Sequence, residues 1–417
     1  MRQMPQELEA SEELAVDGTG AVAEGDGRAA GRDLRVPAVA LAGFCTFLDL
    51  YATQPLLPLL MRVFHASHVQ VSLTVSATTL AVALAAPLIG LFADAVGRKR
   101  IIVPAILGLS VPTLLAATAP TLYALVGWRF AQGLLMPGIF AVTMAYISEE
   151  WAGLGAGRAM SGYITGNVIG GFAGRFLTGL VAERWGWREA FLALGGLNLI
   201  GGLAVWLWLP RARRFVPEKN FGASLRAMAS HLRRPALLAT FAVGFNVLFS
   251  LVATFTYITF YLAAPPFQLG AVALGSLFLV YLLGVVVTPL AGRWLDRAGH
   301  RRMLMAGLAA SSLGALLTLS HHLGLIVAGL AVCSSGVFVC QSSASSHVGA
   351  AAGRARSAAA GLYVTFYYAG GSVGALLPGL AWAAAGWPGV VALVVAVQAL
   401  TAGIALAFWH GGTHEGV

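Results

Sequence analysis

The chain has 417 residues, of which 58% are hydrophobic and only 10% are charged. An ordinary soluble domain is about 25% charged, so this composition excludes a soluble protein. The net charge of +9 does not indicate nucleic-acid binding, because the Arg and Lys residues lie mostly in short loops between long apolar runs. Basic loops of this kind are typical of a protein that spans a membrane.

Residues 1–36 contain eight of the 17 acidic residues and almost no large hydrophobic ones, which predicts a disordered cytoplasmic tail. After this tail, apolar runs of about 20 residues recur, and a helix of that length crosses a bilayer. The runs predict an all-α membrane protein with twelve transmembrane helices. The predicted spans cover about residues 37–60, 71–93, 101–119, 121–147, 157–183, 189–210, 236–264, 270–292, 302–320, 323–349, 356–384 and 387–409.

The basic residues predict the orientation. With a cytoplasmic N-terminus, the inside segments carry 21 Arg and Lys residues and the outside loops carry three. This bias places both termini in the cytoplasm, and we expect a multi-pass protein of the bacterial inner membrane. The basic segment 211–235 is predicted to be a cytoplasmic linker between an N-terminal six-helix bundle, 37–210, and a C-terminal one, 236–409. Residues 410–417 are predicted to form a second cytoplasmic tail.

The two halves share a repeated sequence. Residues near the loop between the second and third spans recur 202 positions later, as the pairs Pro87 and Pro289, Asp94 and Asp296, and Gly97 and Gly299. A second set, which includes Trp187 and Trp387, recurs at an offset of 200. This duplication predicts two pseudo-symmetric bundles related by an axis along the membrane normal. That arrangement is typical of transporters, whose binding site lies near mid-membrane between the halves.

Two motifs resemble those of the major facilitator superfamily. Residues 90–100, Gly-Leu-Phe-Ala-Asp-Ala-Val-Gly-Arg-Lys-Arg, resemble its signature loop between spans 2 and 3. Residues 129–133, Arg-Phe-Ala-Gln-Gly, resemble its Arg-x-x-Gln-Gly element in span 4. The resemblance covers about residues 37–409 and implies this superfamily's fold and transport by alternating access.

Further segments are similar to one branch of that superfamily, the acriflavine-sensitivity branch of twelve-span exporters. They are residues 51–55, 146–150, 166–171 and 174–175. The chain departs from this branch in span 5, where Gly170-Gly171 stands in place of the usual Gly-Pro pair. The branch implies export of a small organic molecule in exchange for protons.

Asp49 is the carboxylate that the predicted spans bury most deeply, near the middle of helix 1. A charge at that depth costs at least about 2.5 kcal/mol on insertion scales, so Asp49 should face a cavity or a partner. Burial favours the neutral acid and a nearby cation favours the carboxylate, which suits a group that loads and releases a proton. The resemblance implies that Asp49 shares this proton-coupling role with Arg129 of span 4. The alternative is a structural pair in which Asp49 permanently neutralises Arg129.

A second cation, Arg175, also lies within a span and lacks a second carboxylate to pair with. It could attract an anionic group of the substrate, or it could extend outward to the membrane surface. Neutral polar and aromatic residues within the spans complete the predicted substrate cavity: Tyr51, Gln54, Tyr163, Asn167, Asn246, Tyr257, Tyr261, Tyr281, Gln341, Tyr363 and Tyr367.

A gating latch is predicted at the cytoplasmic ends of the helices. The resemblance implies that Asp94 contacts a helix N-terminus of the other half, where the helix dipole favours a carboxylate. Glu149 is expected to pair with Arg98 or Arg158 when the inside gate is closed, and the alternative is a solvated surface acid. The predicted latch residues are Asp94, Gly97, Arg98, Glu149, Asp296 and Gly299.

No metal site, cofactor or catalytic activity is predicted. The paired histidines of the outside loops lack other ligand types nearby, and no nucleotide-binding loop or catalytic nucleophile motif is present. We therefore expect a monomeric secondary transporter, not an enzyme, whose partners are a small-molecule substrate, protons and the lipid bilayer. The alternatives are a sugar or metabolite exporter, a uniporter or symporter of the same fold, and a membrane sensor without solute flux.

Overall fold

The computed structural model describes residues 34–151, 155–210, 226, 228–352 and 356–409. The predicted N-terminal tail up to residue 33, most of the predicted linker and the predicted C-terminal tail lie outside these residues. The described residues form α-helices joined by short turns, and the chain from Leu34 onward belongs to one compact unit.

Eight helices make up the N-terminal half and occupy the predicted spans one to six. They are α1 (Arg35–Leu50), α2 (Leu57–Phe64), α3 (His68–Val96), α4 (Arg98–Ala116), α5 (Leu122–Leu135), α6 (Pro137–Glu150), α7 (Ala156–Arg184) and α8 (Trp187–Trp208). The first predicted span consists of α1 and α2 with a 3₁₀ turn, Gln54–Leu56, between them. The fourth consists of α5 and α6, which meet at Met136.

Seven helices make up the C-terminal half and occupy the predicted spans seven to twelve. They are α9 (Pro235–Ala263), α10 (Ala271–Ser276), α11 (Leu283–Ala298), α12 (His300–Leu317), α13 (Leu323–Ala351), α14 (Arg356–Leu376) and α15 (Pro378–Phe408). A 3₁₀ segment, Leu277–Leu282, joins α10 to α11. Non-helical backbone at Ala385 and Gly386 divides α15 between the eleventh and twelfth predicted spans. Within the described residues, nine helical segments are long and apolar enough to cross a membrane by length and composition.

The sequence repeat is visible in the backbone. Gly97 has φ 105° and Gly299 has φ 81°, so both equivalent loops turn at a left-handed residue that favours glycine. Gly186 (φ 118°) and Gly386 (φ 61°) form a second equivalent pair, each followed by a buried Trp. The duplication predicted from the sequence thus has the same turn geometry in both halves.

Glycines at four-residue spacing allow the closest helix contacts in each half. A Cβ added at Gly166, Gly170 or Gly174 of α7 would lie 2.0, 2.3 or 1.9 Å from a carbonyl oxygen of α1. In the C-terminal half, a Cβ at Gly370 or Gly374 of α14 would lie 2.0 or 2.6 Å from a carbonyl oxygen of α9. Small residues at this spacing let two helices of a membrane protein approach closely, and these glycines pack in that way.

The two halves contact each other at the end of the helices that is predicted to face outside. There α14 packs along α3, α10 packs on α7, and α9 packs against the 3₁₀ turn of the first span. Hydrogen bonds cross between the halves from Ser76 to Ser372 (2.7 Å between hydroxyl oxygens) and from Gln54 Nε2 to Thr256 Oγ1 (3.0 Å). These contacts close that end of the molecule.

Candidate functional site

The first span is broken next to Asp49. Pro55 has no backbone N–H and cannot continue the helical hydrogen-bond pattern, so α1 ends at Leu50 and a 3₁₀ turn follows. The last carbonyls of a helix lack donors within the helix itself. The Leu50 carbonyl therefore needs a partner from elsewhere in the bundle, and the Asp49 carbonyl, which accepts from the N–H of Ala52 (3.2 Å), can accept a second hydrogen bond.

Arg129 of α5 supplies that partner. Its Nη1 donates to the Asp49 carbonyl (2.8 Å) and to Gln132 Oε1 (2.5 Å), and its Nη2 donates to the Leu50 carbonyl (2.7 Å). Its Nε donates to the carbonyl of Thr74 in α3 (3.1 Å). A cation is favourable at a helix C-terminus, because the dipole is negative there. Arg129 is fully buried, and the end of α1 accounts for its position.

The Asp49 carboxyl group lies beside Arg129 without pairing with it. Its Oδ2 accepts hydrogen bonds from Thr113 Oγ1 of α4 (2.8 Å) and Asn198 Nδ2 of α8 (2.5 Å). Its Oδ1 is buried and has no hydrogen-bond partner among the described residues. Within that part of the chain, no ion pair joins this carboxyl group to Arg129. The expected side-chain pair is thus a contact with the Asp49 backbone, and the carboxyl group lies inside the N-terminal bundle, with none of its surface exposed.

The hydroxyl group of Thr113 connects Asp49 to Gln132. It accepts a hydrogen bond from Gln132 Nε2 (2.7 Å), and it lies 2.8 Å from Asp49 Oδ2 and 2.7 Å from the carbonyl of Leu109. A hydroxyl group has one hydrogen, so Thr113 can donate to only one of the two acceptors at a time. With a charged Asp49, Thr113 can donate to the carboxylate. With a neutral Asp49, the acid can donate to Thr113, which then donates to Leu109.

Arg175 of α7 lies between the two halves, next to the break in the first span. Its Nε donates to Gln54 Oε1 (2.7 Å) and its Nη1 to the carbonyl of Gly171 (2.6 Å). The guanidinium carbon lies over the rings of Tyr51 (4.7 Å), Phe278 (4.4 Å) and Tyr281 (5.1 Å). Arg175 is only 3% exposed, so it does not extend outward to the membrane surface.

A second aromatic cluster also crosses between the halves. Tyr363 stacks on Tyr367 (6.1 Å between ring centroids), Tyr367 contacts Tyr368 (5.3 Å), and Tyr368 contacts Phe140 of the N-terminal half (5.7 Å). Gln341 Oε1 accepts a hydrogen bond from the Tyr363 hydroxyl group (2.8 Å). Tyr51, Gln54, Tyr281, Tyr363 and Tyr367 therefore belong to clusters that reach the interface between the halves.

The remaining predicted cavity residues contact their own or neighbouring helices. Tyr163 donates to the carbonyl of Phe140 (3.1 Å), and Asn167 lies against Gly43 of α1. In the C-terminal half, Asn246 accepts from Ser250 on the same helix (2.9 Å) and Tyr257 donates to the carbonyl of Ala375 (3.0 Å). Tyr261 stacks on Trp387 at 5.8 Å. Asn167 Oδ1 is buried and has no hydrogen-bond partner among the described residues, and the cavity role of these five side chains stays a prediction.

At the predicted cytoplasmic end, Arg98 and Glu149 form an ion pair. Arg98 Nε lies 3.1 Å from both carboxylate oxygens and Nη2 lies 2.5 Å from Oε1. Both residues belong to the N-terminal half, so this pair joins α4 to α6 and not the two halves. Lys99 Nζ donates to the carbonyls of Trp206 (2.9 Å) and Leu209 at the end of α8.

Two predicted latch residues lie outside the described side chains. They are Asp94 and its repeat Asp296, which lie in the last turns of α3 and α11. Gly97 and Gly299 make the left-handed turns that follow. Arg158, the other predicted partner of Glu149, is exposed.

Three residues of the site were not identified from the sequence as site residues in their own right: Thr113, Asn198 and Phe278. Thr113 and Asn198 are polar residues within otherwise apolar runs, and a buried polar side chain needs a partner. That signal could have identified them, but it does not indicate Asp49 as the shared partner. Phe278 carries no such signal, since one more Phe in an apolar span is ordinary.

The broken helices, the repeated turns and the interface between two halves are those of a membrane transporter. The family model "Major Facilitator Superfamily" matches residues 39–287 and 262–415, and the chain belongs to this family. The MFS-type transporter YybF of Bacillus subtilis is 35% identical over 354 residues, covering 85% of this chain and 88% of the relative. The inner membrane transport protein YnfM of Escherichia coli is 35% identical over 357 residues, covering 85% of each chain.

The fold is also that of solved transporters. The crystal structure of the nucleoside transporter NupG matches with a TM-score of 0.76 over 90% of this chain and 100% of that chain, at 15% sequence identity. At that identity the likeness shows the fold alone. The chain is thus a multi-pass membrane transporter with the fold of this superfamily.

Proposed function

We propose that this transporter exports a small organic molecule across the bacterial inner membrane in exchange for protons, by alternating access, and that it acts as a monomer. The observation that carries the proposal is the Asp49 carboxyl group, which is fully buried, has one unpartnered oxygen and is not paired with a cation in the described residues. A permanently charged carboxylate at that depth would be costly without a counter-ion. A group that alternates between neutral and charged forms fits this environment.

Arg129 and Thr113 support the same role. Arg129 donates its hydrogen bonds mainly to backbone carbonyls, so these hydrogen bonds do not require a charged Asp49. Its positive charge nevertheless lies close to Asp49 and favours release of the proton. Thr113 can reverse the direction of its hydrogen bond with Asp49, so both protonation states keep a hydrogen-bonded partner.

Alternating access would arise from rocking of the two halves about the interface that contains Arg175 and the aromatic clusters. In the present state the end predicted to face outside is closed, for example by the Ser76–Ser372 hydrogen bond. With the orientation predicted by the basic loops, this state would accept substrate from the cytoplasm. The motif similarities to the acriflavine-sensitivity branch support the export direction.

The latch at the cytoplasmic end is part of this proposal. Asp94→Asn should reduce flux and leave substrate binding largely intact, because it weakens one conformational state and not the site. Unchanged flux at normal expression would count against the latch.

The orientation of the protein in the membrane has its own test. A reporter fused at Val417 should be cytoplasmic, and a periplasmic reporter would overturn the predicted orientation.

The proposal is tested by flux in proteoliposomes with an imposed pH gradient, against a panel of dyes, antibiotics and sugars. A pH dye trapped inside the vesicles reports the counter-movement of protons. Antiport predicts that each transported compound moves protons in the opposite direction and accumulates against its own gradient. Transport without proton movement would favour the uniporter alternative, and proton movement in the same direction would favour symport. Absence of flux for the whole panel would favour the sensor.

A further inference from the structure

Arg129 and Arg175, whose guanidinium groups are buried in the middle of the spans, differ in how their hydrogen bonds are used. A guanidinium group has five N–H donors. Arg129 makes four hydrogen bonds to described residues, three of them to backbone carbonyls. Arg175 makes two, to Gln54 and to Gly171, although it is only 3% exposed. Three N–H groups of Arg175 thus have no acceptor in the described part of the chain.

The charge of Arg175 is also balanced differently. No carboxylate among the described residues forms an ion pair with it, and three aromatic rings, of Tyr51, Phe278 and Tyr281, surround the guanidinium carbon at 4.4–5.1 Å. Ring faces stabilise a cation, but they do not accept the in-plane hydrogen bonds that the remaining N–H groups can donate. A buried cation within the membrane that has no anionic partner indicates a binding site or pathway.

The elements around Arg175 come from both halves of the molecule. Gln54 and Tyr51 lie at the break in the first span, while Phe278 and Tyr281 belong to the 3₁₀ segment of the other half. A ligand bound at Arg175 would therefore contact parts that must separate during alternating access. Apolar ring faces beside an unused guanidinium edge suit a molecule with an acidic head and an apolar or aromatic body.

A cavity of about 560 Å³ lies between the halves on the side predicted to face outside. Its lining includes Ala271 and Leu274, and the neighbouring Gly275 packs on the backbone of Arg175. Among the described residues that line it, Arg62 carries the permanent charge. The Glu183 carboxylate lies against the same lining at Gly270 and accepts a hydrogen bond from the N–H of Val272 (2.8 Å), so charges of both signs flank this cavity.

We propose that Arg175 binds the acidic group of the transported molecule and that the substrate is an amphipathic organic anion. Its oxyanion takes the unused N–H groups of Arg175, since a planar guanidinium matches a carboxylate or similar oxyanion with two parallel hydrogen bonds. Its apolar body lies against Tyr51, Phe278 and Tyr281. This inference rests on the proposed export function and assigns its substrate class.

The test measures equilibrium binding to the purified full-length protein without any pH gradient. The probes are matched pairs that differ only in charge: 2-naphthoate with 2-naphthamide, and 4-phenylbenzoate with 4-phenylbenzamide. The variants are Arg175→Gln, which removes the charge, and Arg175→Lys, which keeps the charge but loses the planar donor edge. The control is Arg188→Gln, because Arg188 also lies over a ring, that of Trp187 at 4.4 Å, but at an exposed position away from the site.

Wild type and the Arg188→Gln control should bind the anion of at least one pair about tenfold or more tighter than its amide, which corresponds to about 1.4 kcal/mol. Arg175→Gln should lose this preference and bind the amide as before, and Arg175→Lys should keep only part of it. If wild type prefers neither anion, or binds neither, the proposal is overturned. It is also overturned if a folded Arg175→Gln protein keeps the preference. If Arg175→Gln does not fold, the preference for the anion over its amide is compared between wild type and Arg175→Lys, and an undiminished preference in Arg175→Lys overturns the proposal. Because no proton gradient is used, failure of proton antiport leaves this result unaffected.

Discussion

The guanidinium group of Arg129 binds the backbone carbonyl of Asp49, at 2.8 Å, while the Asp49 carboxyl group binds Thr113 and Asn198. The two opposite charges are neighbours, yet each has its own set of neutral partners. This separation supports the proposal that the Asp49 carboxyl group changes its protonation state and does not permanently neutralise a cation. The separate partners of Asp49 and Arg129 determine the effects that we predict for substitutions at these two residues.

Asp49→Asn should fold and lose coupling. Arg129 keeps all its acceptors in this variant, so the loss of the carboxylate should leave the bundle intact. Export driven by a pH gradient should vanish in proteoliposomes, whereas substrate binding or downhill exchange should survive. Glu189→Gln, at an exposed acid, is the matched control and should transport as wild type.

The alternative, a structural pair of Asp49 and Arg129, predicts a different result for the same variants. If Asp49 only neutralises Arg129, the single variant should be poorly folded, because an unpaired buried charge costs about 3–5 kcal/mol. The double variant Asp49→Asn with Arg129→Gln should then recover both folding and uphill transport. Full pH-driven transport by either variant would exclude Asp49 as the required proton carrier.

Arg129→Gln should destabilise the protein more than it alters substrate binding. It removes the donor of the buried Leu50 carbonyl, and a buried group left unsatisfied costs about 1–3 kcal/mol. The carbonyls of Asp49 and Thr74 also lose a donor, but they keep the N–H of Ala52 (3.2 Å) and the hydroxyl group of Thr78 (3.1 Å). We expect a clearly lower temperature of unfolding for the purified protein in detergent. Arg188→Gln serves as the control, since its partner, the carbonyl of Ala119, lies in a loop. Equal unfolding temperatures for the two variants would contradict the role of Arg129 at the end of α1.

Gly174→Ala should prevent close packing of α7 on α1. The added Cβ would lie 1.9 Å from the carbonyl oxygen of Leu48, so the helices must separate at a cost of about 1–3 kcal/mol or more. Gly157→Ala on the same helix is the matched control, because nothing lies within 4 Å of its Cβ position. Expression level and unfolding temperature measure the difference. A stable Gly174→Ala protein beside wild-type-like Gly157→Ala would show that the contact is looser than the structure gives.

A disulfide between Ser76→Cys and Ser372→Cys should lock the transporter in the state seen here. The two hydroxyl oxygens are 2.7 Å apart and belong to different halves, so the introduced thiols should crosslink on mild oxidation. Flux should stop in the oxidised double variant and return after reduction. Each single variant, oxidised in parallel, should transport normally; flux through a fully crosslinked protein would exclude opening at this interface. The native Cys45, Cys333 and Cys340 are buried and free, which limits unwanted crosslinks.

The helices and the repeat could be predicted from local patterns. An apolar run that is long enough to cross a bilayer is expected to form a helix. Backbone polar groups find no water inside a membrane, and a helix satisfies them within the run itself. The repeated positions Gly97 and Gly299 have the same left-handed turn in both halves, as a duplication implies. Asp49, Arg129 and Arg175 could likewise be selected, since charges within apolar spans are rare for energetic reasons.

The partners of these charges were decided only by the tertiary structure. The partner predicted for Arg129 was a carboxylate, but its guanidinium group donates instead to the carbonyls of Asp49 and Leu50 at the end of α1. Arg175 is surrounded by Phe278 and Tyr281, about 100 residues away along the chain, and no local pattern joins them. The sequence by itself determined which residues are too costly to bury without a purpose. The tertiary structure decided which neighbours satisfy each of them, because hydrogen-bond partners in a helical bundle come from helices that are distant in sequence.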